Sequence, residues 1–119
     1  MKIAIIGSRT LPEEWVLPRL NFLLNEKETQ VISGGAPGVD TFVKMFCDSW
    51  KIPIEIIRPI DSSDKISYLF RNIEILTKAD KVIAFWDGSS KGTKFVIDYC
   101  KARNKPLEII IRTKYINLR

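Results

Sequence analysis

VISGGAPGVDTFVKMFCDSW, residues 31–50, holds a strand, a turn and a helix in one short run. Its apolar start is of strand length and stops at Gly34. From Val39 the apolar positions Val39, Phe42, Val43, Phe46, Cys47 and Trp50 keep to one face of a helix over 38–50. A strand that feeds a helix through so short a turn is half of a parallel βαβ unit. A plain turn of this kind needs one glycine, yet SGGAPGVD (33–40) spends three and a proline. Glycine lets backbone approach another group without a Cβ between them, so this turn is built for a close approach.

The same alternation continues in both directions. KIAIIG (2–7), PIEIIR (53–58), KVIAFW (81–86) and LEIII (107–111) have strand length and strand composition. Helical spacing is expected over 12–28, with Trp15, Leu20, Leu23 and Leu24 inward and Pro18 as a kink or early stop. It is expected again over 65–79 (Ile66, Leu69, Phe70, Ile73, Leu76) and over 93–104 (Phe95, Val96, Tyr99, Cys100). The order β-α-β-α-β-α-β-α-β, with near-continuous apolar strands, predicts a Rossmann-like, doubly wound parallel sheet of five strands with helices on both faces. The simplest strand order is 3-2-1-4-5, which puts ligands at the carboxyl ends of strands 1 and 4. The 119 residues make one domain, 1–119, whose tail 112–119 has no clear structure.

Composition narrows the chemistry. The chain has no histidine and two cysteines, which excludes His-based catalytic triads and argues against a zinc site. Cys47 and Cys100 fall in apolar helical positions and are expected to be reduced core thiols. The absence of a long apolar run argues against a membrane partner, and the lack of a signal-like start suggests a cytoplasmic protein. The net charge of +5 favours anionic partners such as nucleotides, phosphates or nucleic acid.

Three glycine-containing turns fall at the carboxyl edge: GSRT (7–10), GGAPGVD (34–40) and DGSSKGT (87–93). Each leads toward a helix N-terminus, where free N–H donors and the helix dipole attract anions. None is a Walker A loop and none is GxGxxG. Several residues keep two roles open. Asp40 complements a helix dipole or faces a ligand. Arg71 pairs with Glu74 or faces the crevice. Asp87 caps its turn or binds a ribose hydroxyl. Trp86 packs in the core or stacks on a base. Asp61 and Asp64 read as a polar loop and a helix cap.

SGGAPGVD, the Arg71-Asn72 pair and the apolar strand into DGSSKGT together resemble the SLOG superfamily, which joins the Rossmann-like domain of the DNA-processing protein Smf/DprA with the Lonely Guy (LOG) enzymes. The small stand-alone YspA-related branch is the nearest match, and the resemblance runs from residue 1 to about 111. It implies a nucleotide-derived ligand such as ADP-ribose, NAD or a nucleoside monophosphate, with no other cofactor required. Gly7, Ser8 and Arg9 would line the crevice, and Gly34, Gly35, Ala36 and Gly38 would give backbone contacts. Asp40 would lie in the first turn of its helix, and Arg71 with Asn72 would reach across. Gly88, Gly92 and Thr93 would cradle phosphate by backbone N–H groups and a hydroxyl, with Asp87 and Ser90 also among the ligand-binding residues. The resemblance also implies a homodimer.

Two alternatives accompany this binding role: N-glycosidic bond hydrolysis, as in LOG phosphoribohydrolases, and DNA binding, as in the DNA-processing relative. The hydrolases carry a Glu within about a turn of the Gly-Thr pair. Here Lys94, Phe95, Val96 and Ile97 follow, and the first acid is Asp98. Asp40 and Asp87 are the remaining candidates for a catalytic carboxylate, with Glu14 a further one.

Overall fold

The computed structural model describes residues 1–24 and 29–112. Five strands form one parallel sheet: β1 (Lys2–Gly7), β2 (Gln30–Ser33), β3 (Ile54–Ile56), β4 (Lys81–Trp86) and β5 (Leu107–Ile111). Their order is β3-β2-β1-β4-β5, as expected from the sequence. β1 is central, with Ile5 in register with Ile83 of β4 and Ile3 with Val31 of β2. The end of the expected helix 12–28 and the tail at 113–119 lie outside the described residues.

Four helices cover the sheet: α1 (Glu13–Leu23), α2 (Val39–Trp50), α3 (Lys65–Lys78) and α4 (Lys91–Ala102). One apolar layer joins Ile3, Ile5, Ile83 and Phe85 of the sheet to Val16 and Leu20 of α1 and Val43 and Cys47 of α2. The other joins Ala4, Ile32 and Val82 to Ile75 and Leu76 of α3 and Val96 and Cys100 of α4. Alternate residues of β1 thus serve opposite faces, as the period of a strand requires.

Some expectations change. α1 runs through Pro18 without a break, and Pro12 is its N-cap rather than its first helical residue. β3 is three residues long instead of the six of PIEIIR. Trp50, placed inward by its spacing, is exposed. α3 turns a different face to the sheet: Arg71, Ile75 and Leu76 are buried, while Ile66, Leu69 and Phe70 face solvent, Phe70 at 65% exposure. In α4, Ile97 is buried beside Val96 and Cys100, while Phe95 and Tyr99 are only partly covered. Both cysteines are free and buried.

Candidate functional site

The carboxyl ends of β1, β2 and β4 open on a crevice of about 470 Å³. The polar network beneath it ties distant loops together. Buried Ser8 donates its backbone N–H to the Phe85 carbonyl at 2.9 Å, and its Oγ accepts the Asp87 N–H at 3.1 Å. The same hydroxyl lies 3.4 Å from Thr93 Oγ1. Thr10 Oγ1 donates to Asp87 Oδ2 at 2.9 Å, closing the first loop onto the third.

The glycines of SGGAPGVD have a clear steric purpose. A Cβ on Gly34 would lie 2.5 Å from Arg71 Nη1. One on Gly35 would lie 2.8 Å from Arg58 Nη1, and one on Gly38 would lie 2.7 Å from the Arg9 Cα. Gly34 and Gly35 make room for the side chains of Arg71 and Arg58, and Gly38 for the backbone of Arg9. Gly35 and Gly38 also need their side-chain freedom for positive φ, at 70° and 86°. Two of the turn's glycine carbonyls are engaged within the protein: the Gly34 carbonyl accepts from Arg71 Nη1 at 2.6 Å, and the Gly35 carbonyl from Arg58 Nη1 at 3.4 Å. Gly38 caps α2 and does not line the crevice.

Arg71, 9% exposed, lies at the centre of this arrangement. It lines the crevice, reaches the Gly34 and Ile57 carbonyls, and donates from Nε to Asn72 Oδ1 at 2.9 Å. Its guanidinium lies 5.3 Å from the Tyr68 ring centroid, within cation–π range. The alternative pairing with Glu74 is not formed, since Glu74 meets Lys78 at 3.4 Å. Burial pulls the Arg71 value below the ordinary one, and Asp40 opposes that shift.

Asp40 also lines the crevice, and its Oδ2 accepts the Ala36 N–H at 3.0 Å. Burial raises its carboxyl above the ordinary value, against the Ala36 hydrogen bond and the charges of Arg71 and Arg9. Asp87 is held the other way. Burial pushes it up, but hydrogen bonds from the Ser89 and Ser90 amides and the Thr10 hydroxyl outweigh this and lower it. Asp87 is thus a turn-capping carboxylate, which takes the Ser89 and Ser90 amides. Ser90 in turn caps α4 by accepting the Thr93 N–H at 3.5 Å. Neither cap takes the amide of Gly92, which lines the crevice; a Cβ there would meet nothing within 4 Å. Trp86 braces this turn, donating from Nε1 to the Ser90 carbonyl at 3.0 Å.

Of the residues singled out in the sequence, Gly7, Arg9, Gly34, Ala36, Asp40, Arg71, Asn72, Asp87, Ser90, Gly92 and Thr93 line this one crevice. Gly35 lies next to it, in an adjoining cavity. Ser8 is buried beneath it, and Gly88 is a turn residue with φ 87° outside it. Tyr68, Thr10 and Ile75 line it without having been anticipated. Tyr68 had a usable signal, because it stands three residues before Arg71 on the same helical face. Asp98 is remote: it is exposed and paired with Lys94 at 2.8 Å on the outside of α4. Asp64 caps α3 by accepting the Ile66 N–H, as expected. Among the described residues no cluster of His, Cys, Asp and Glu could hold a metal ion, and no helix is long and apolar enough to cross a membrane.

No protein-family model and no curated protein matches this chain. Its structure is similar to that of DNA processing protein A from Helicobacter pylori, a protein described for its single-stranded DNA binding mode. The TM-score is 0.73 at 20% identity, over 92% of this chain and 64% of that one. The chain therefore spans less than two thirds of that neighbour's length. The likeness carries the fold, a Rossmann-like α/β domain of the kind found in DNA processing protein A.

Proposed function

We propose that this domain binds a nucleotide by its phosphate in the crevice at the carboxyl ends of β1 and β4, acting as a sensor or sequestering module of the YspA-related SLOG type. The single observation that carries this reading is the convergence of Arg9, buried Arg71 and the Gly92 turn on one open cavity. Two fixed positive charges and the start of a helix favour a phosphate there. Tyr68 and Ile75 supply an apolar wall for sugar or base. The ligand class covers ADP-ribose, NAD and nucleoside monophosphates. Binding is favoured over N-glycosidic cleavage because Asp98 faces outward and Asp87 is held as a hydrogen-bond acceptor.

A second reading is favoured by one observation, the likeness to a protein that binds single-stranded DNA. A strand offers the same phosphate and sugar chemistry, and the chain carries a net charge of +5.

One titration series tests both. Fluorescent AMP, ADP-ribose and a short single-stranded oligonucleotide are bound to the whole chain at several salt concentrations. Saturable mononucleotide binding that weakens in Arg71→Ala supports the first reading. Oligonucleotide binding that falls steeply with salt, with none by the free nucleotides, supports the second. Binding of neither would overturn both. Free base released from AMP, and lost in Asp40→Asn, would establish cleavage instead.

A further inference from the structure

A second cavity of about 350 Å³ adjoins the crevice over the carboxyl ends of β2 and β3. The two share Arg9, Gly34, Ala36, Tyr68 and Arg71 as lining, so they form one continuous track. The second adds Arg58, Gly35 and Ser62. Three arginines thus border it: the Arg71 and Arg58 guanidinium groups lie beside Gly34 and Gly35, and the Arg9 backbone lies against Gly38.

This concentration of charge is not consumed within the protein. Among the described residues, no carboxylate lies within ion-pair distance of Arg9, Arg58 or Arg71. Arg9 and Arg58 both act against the charge on Arg71, and Asp40 is the acid that opposes them. Arg58 is exposed, and its one hydrogen bond, to the Gly35 carbonyl, is long at 3.4 Å. A guanidinium held so loosely over a cavity keeps most of its donors available. The positive φ and the missing Cβ at Gly35 hold open the place where it lies.

We propose that Arg9, Arg58 and Arg71 form a second anion subsite over Gly34 and Gly35, which takes a further phosphate of the ligand whose first phosphate lies in the crevice. This rests on the nucleotide reading and names its substrate class: a ligand with two phosphates. The second phosphate comes either from a diphosphate nucleotide or from the next link of a single strand. Arg58 serves the second subsite alone, because it does not line the first cavity.

The test compares AMP, ADP and the dinucleotide pApA by calorimetric titration on the wild type, Arg58→Gln and Arg58→Lys. Inorganic pyrophosphate, which lacks base and sugar, is titrated in parallel. A charge-assisted hydrogen bond corresponds to about tenfold or more in affinity. ADP or pApA is expected to bind about tenfold tighter than AMP. Arg58→Gln should erase that gain without changing AMP affinity, and Arg58→Lys should restore part of it. Whichever of ADP and pApA shows the gain identifies the source of the second phosphate. Pyrophosphate binding that depends on Arg58, with no nucleotide bound, would remove the crevice reading and leave the subsite standing. Two-phosphate ligands that bind no tighter than AMP, or pyrophosphate binding indifferent to Arg58, would overturn the subsite.

Discussion

Arg71 Nη1 lies 2.6 Å from the carbonyl oxygen of Gly34, across the end of the sheet from its own helix. One side chain thereby fastens α3 to the turn that follows β2, and it does so from the wall of the crevice. Gly34→Ala would put a Cβ 2.5 Å from that Nη1. The guanidinium must then move off the buried Gly34 and Ile57 carbonyls. The expected cost is about 1–3 kcal/mol in urea unfolding, together with loss of phosphate binding.

Gly92 gives the opposite result. A Cβ there meets nothing within 4 Å, and the residue lies in the first turn of α4. Gly92→Ala should leave the fold intact and stabilise it by up to about 1 kcal/mol, because alanine is the better helix former. The new methyl group would project toward the crevice, so nucleotide affinity should fall. Unfolding and binding measured on one preparation would show stability and function moving in opposite directions.

Asp40 carries a pH signature. Its folded value is raised above 3.8, so the folded state favours the protonated carboxyl. The stability this contributes is present in full below 3.8 and is lost as pH rises through the folded value. Asp40→Asn keeps an oxygen to accept the Ala36 N–H and removes the titration. Relative to the wild type, its stability should rise across the pH window that begins at 3.8 and extends upward, as read by denaturant melts at a series of pH values. It also removes the acid that faces Arg71 and Arg9, so phosphate should bind more tightly.

The two faces of α3 should respond very differently. Leu76 is fully buried, and Leu76→Ala is expected to cost about 2–5 kcal/mol. Phe70 is 65% exposed, and Phe70→Ser should change stability by about 0.5 kcal/mol or less. Similar losses at both sites would mean that the exposed face is covered in solution.

Neither cysteine should react in the native state. Burial, with a smaller contribution from Asp48, pushes the Cys47 thiol up to about 11, and burial also raises Cys100. A thiol reagent should modify both only at the rate at which the protein unfolds. Faster labelling of one would reveal local opening around its helix.

β1, β4 and β5 could be read from the sequence to the residue, because buried parallel strands are bounded apolar runs with Gly, Asp or Pro at their ends. The ends of β3 could not, since hydrogen bonding to β2 stops after three residue pairs and PIEIIR does not encode that limit. The α3 spacing revealed a helix but not its inward face. Ile66, Leu69, Phe70 and Ile73 make a stripe as regular as the one through Ile75 and Leu76, and only packing against the sheet separates them. The loops could be recognised as one site because the topology brings them together. Arg58 could not, because its role depends on the empty space beside Gly35, which only the folded backbone defines.

The Ser8 hydroxyl joins parts of the chain that are made far apart in time. Its partners Asp87 and Thr93 lie 79 and 85 residues downstream. During synthesis, β1, β2 and β3 are made before β4 exists to flank β1. A chain ending near Lys78 has Arg9, Arg58 and Arg71 but lacks the strand and helix start that complete the crevice. Competence to hold a ligand therefore arrives late and all at once, when the second half of the sheet closes on the first. A ligand bound there would protect the whole domain against unfolding rather than one loop, and amide exchange should slow across β1 and β4 together.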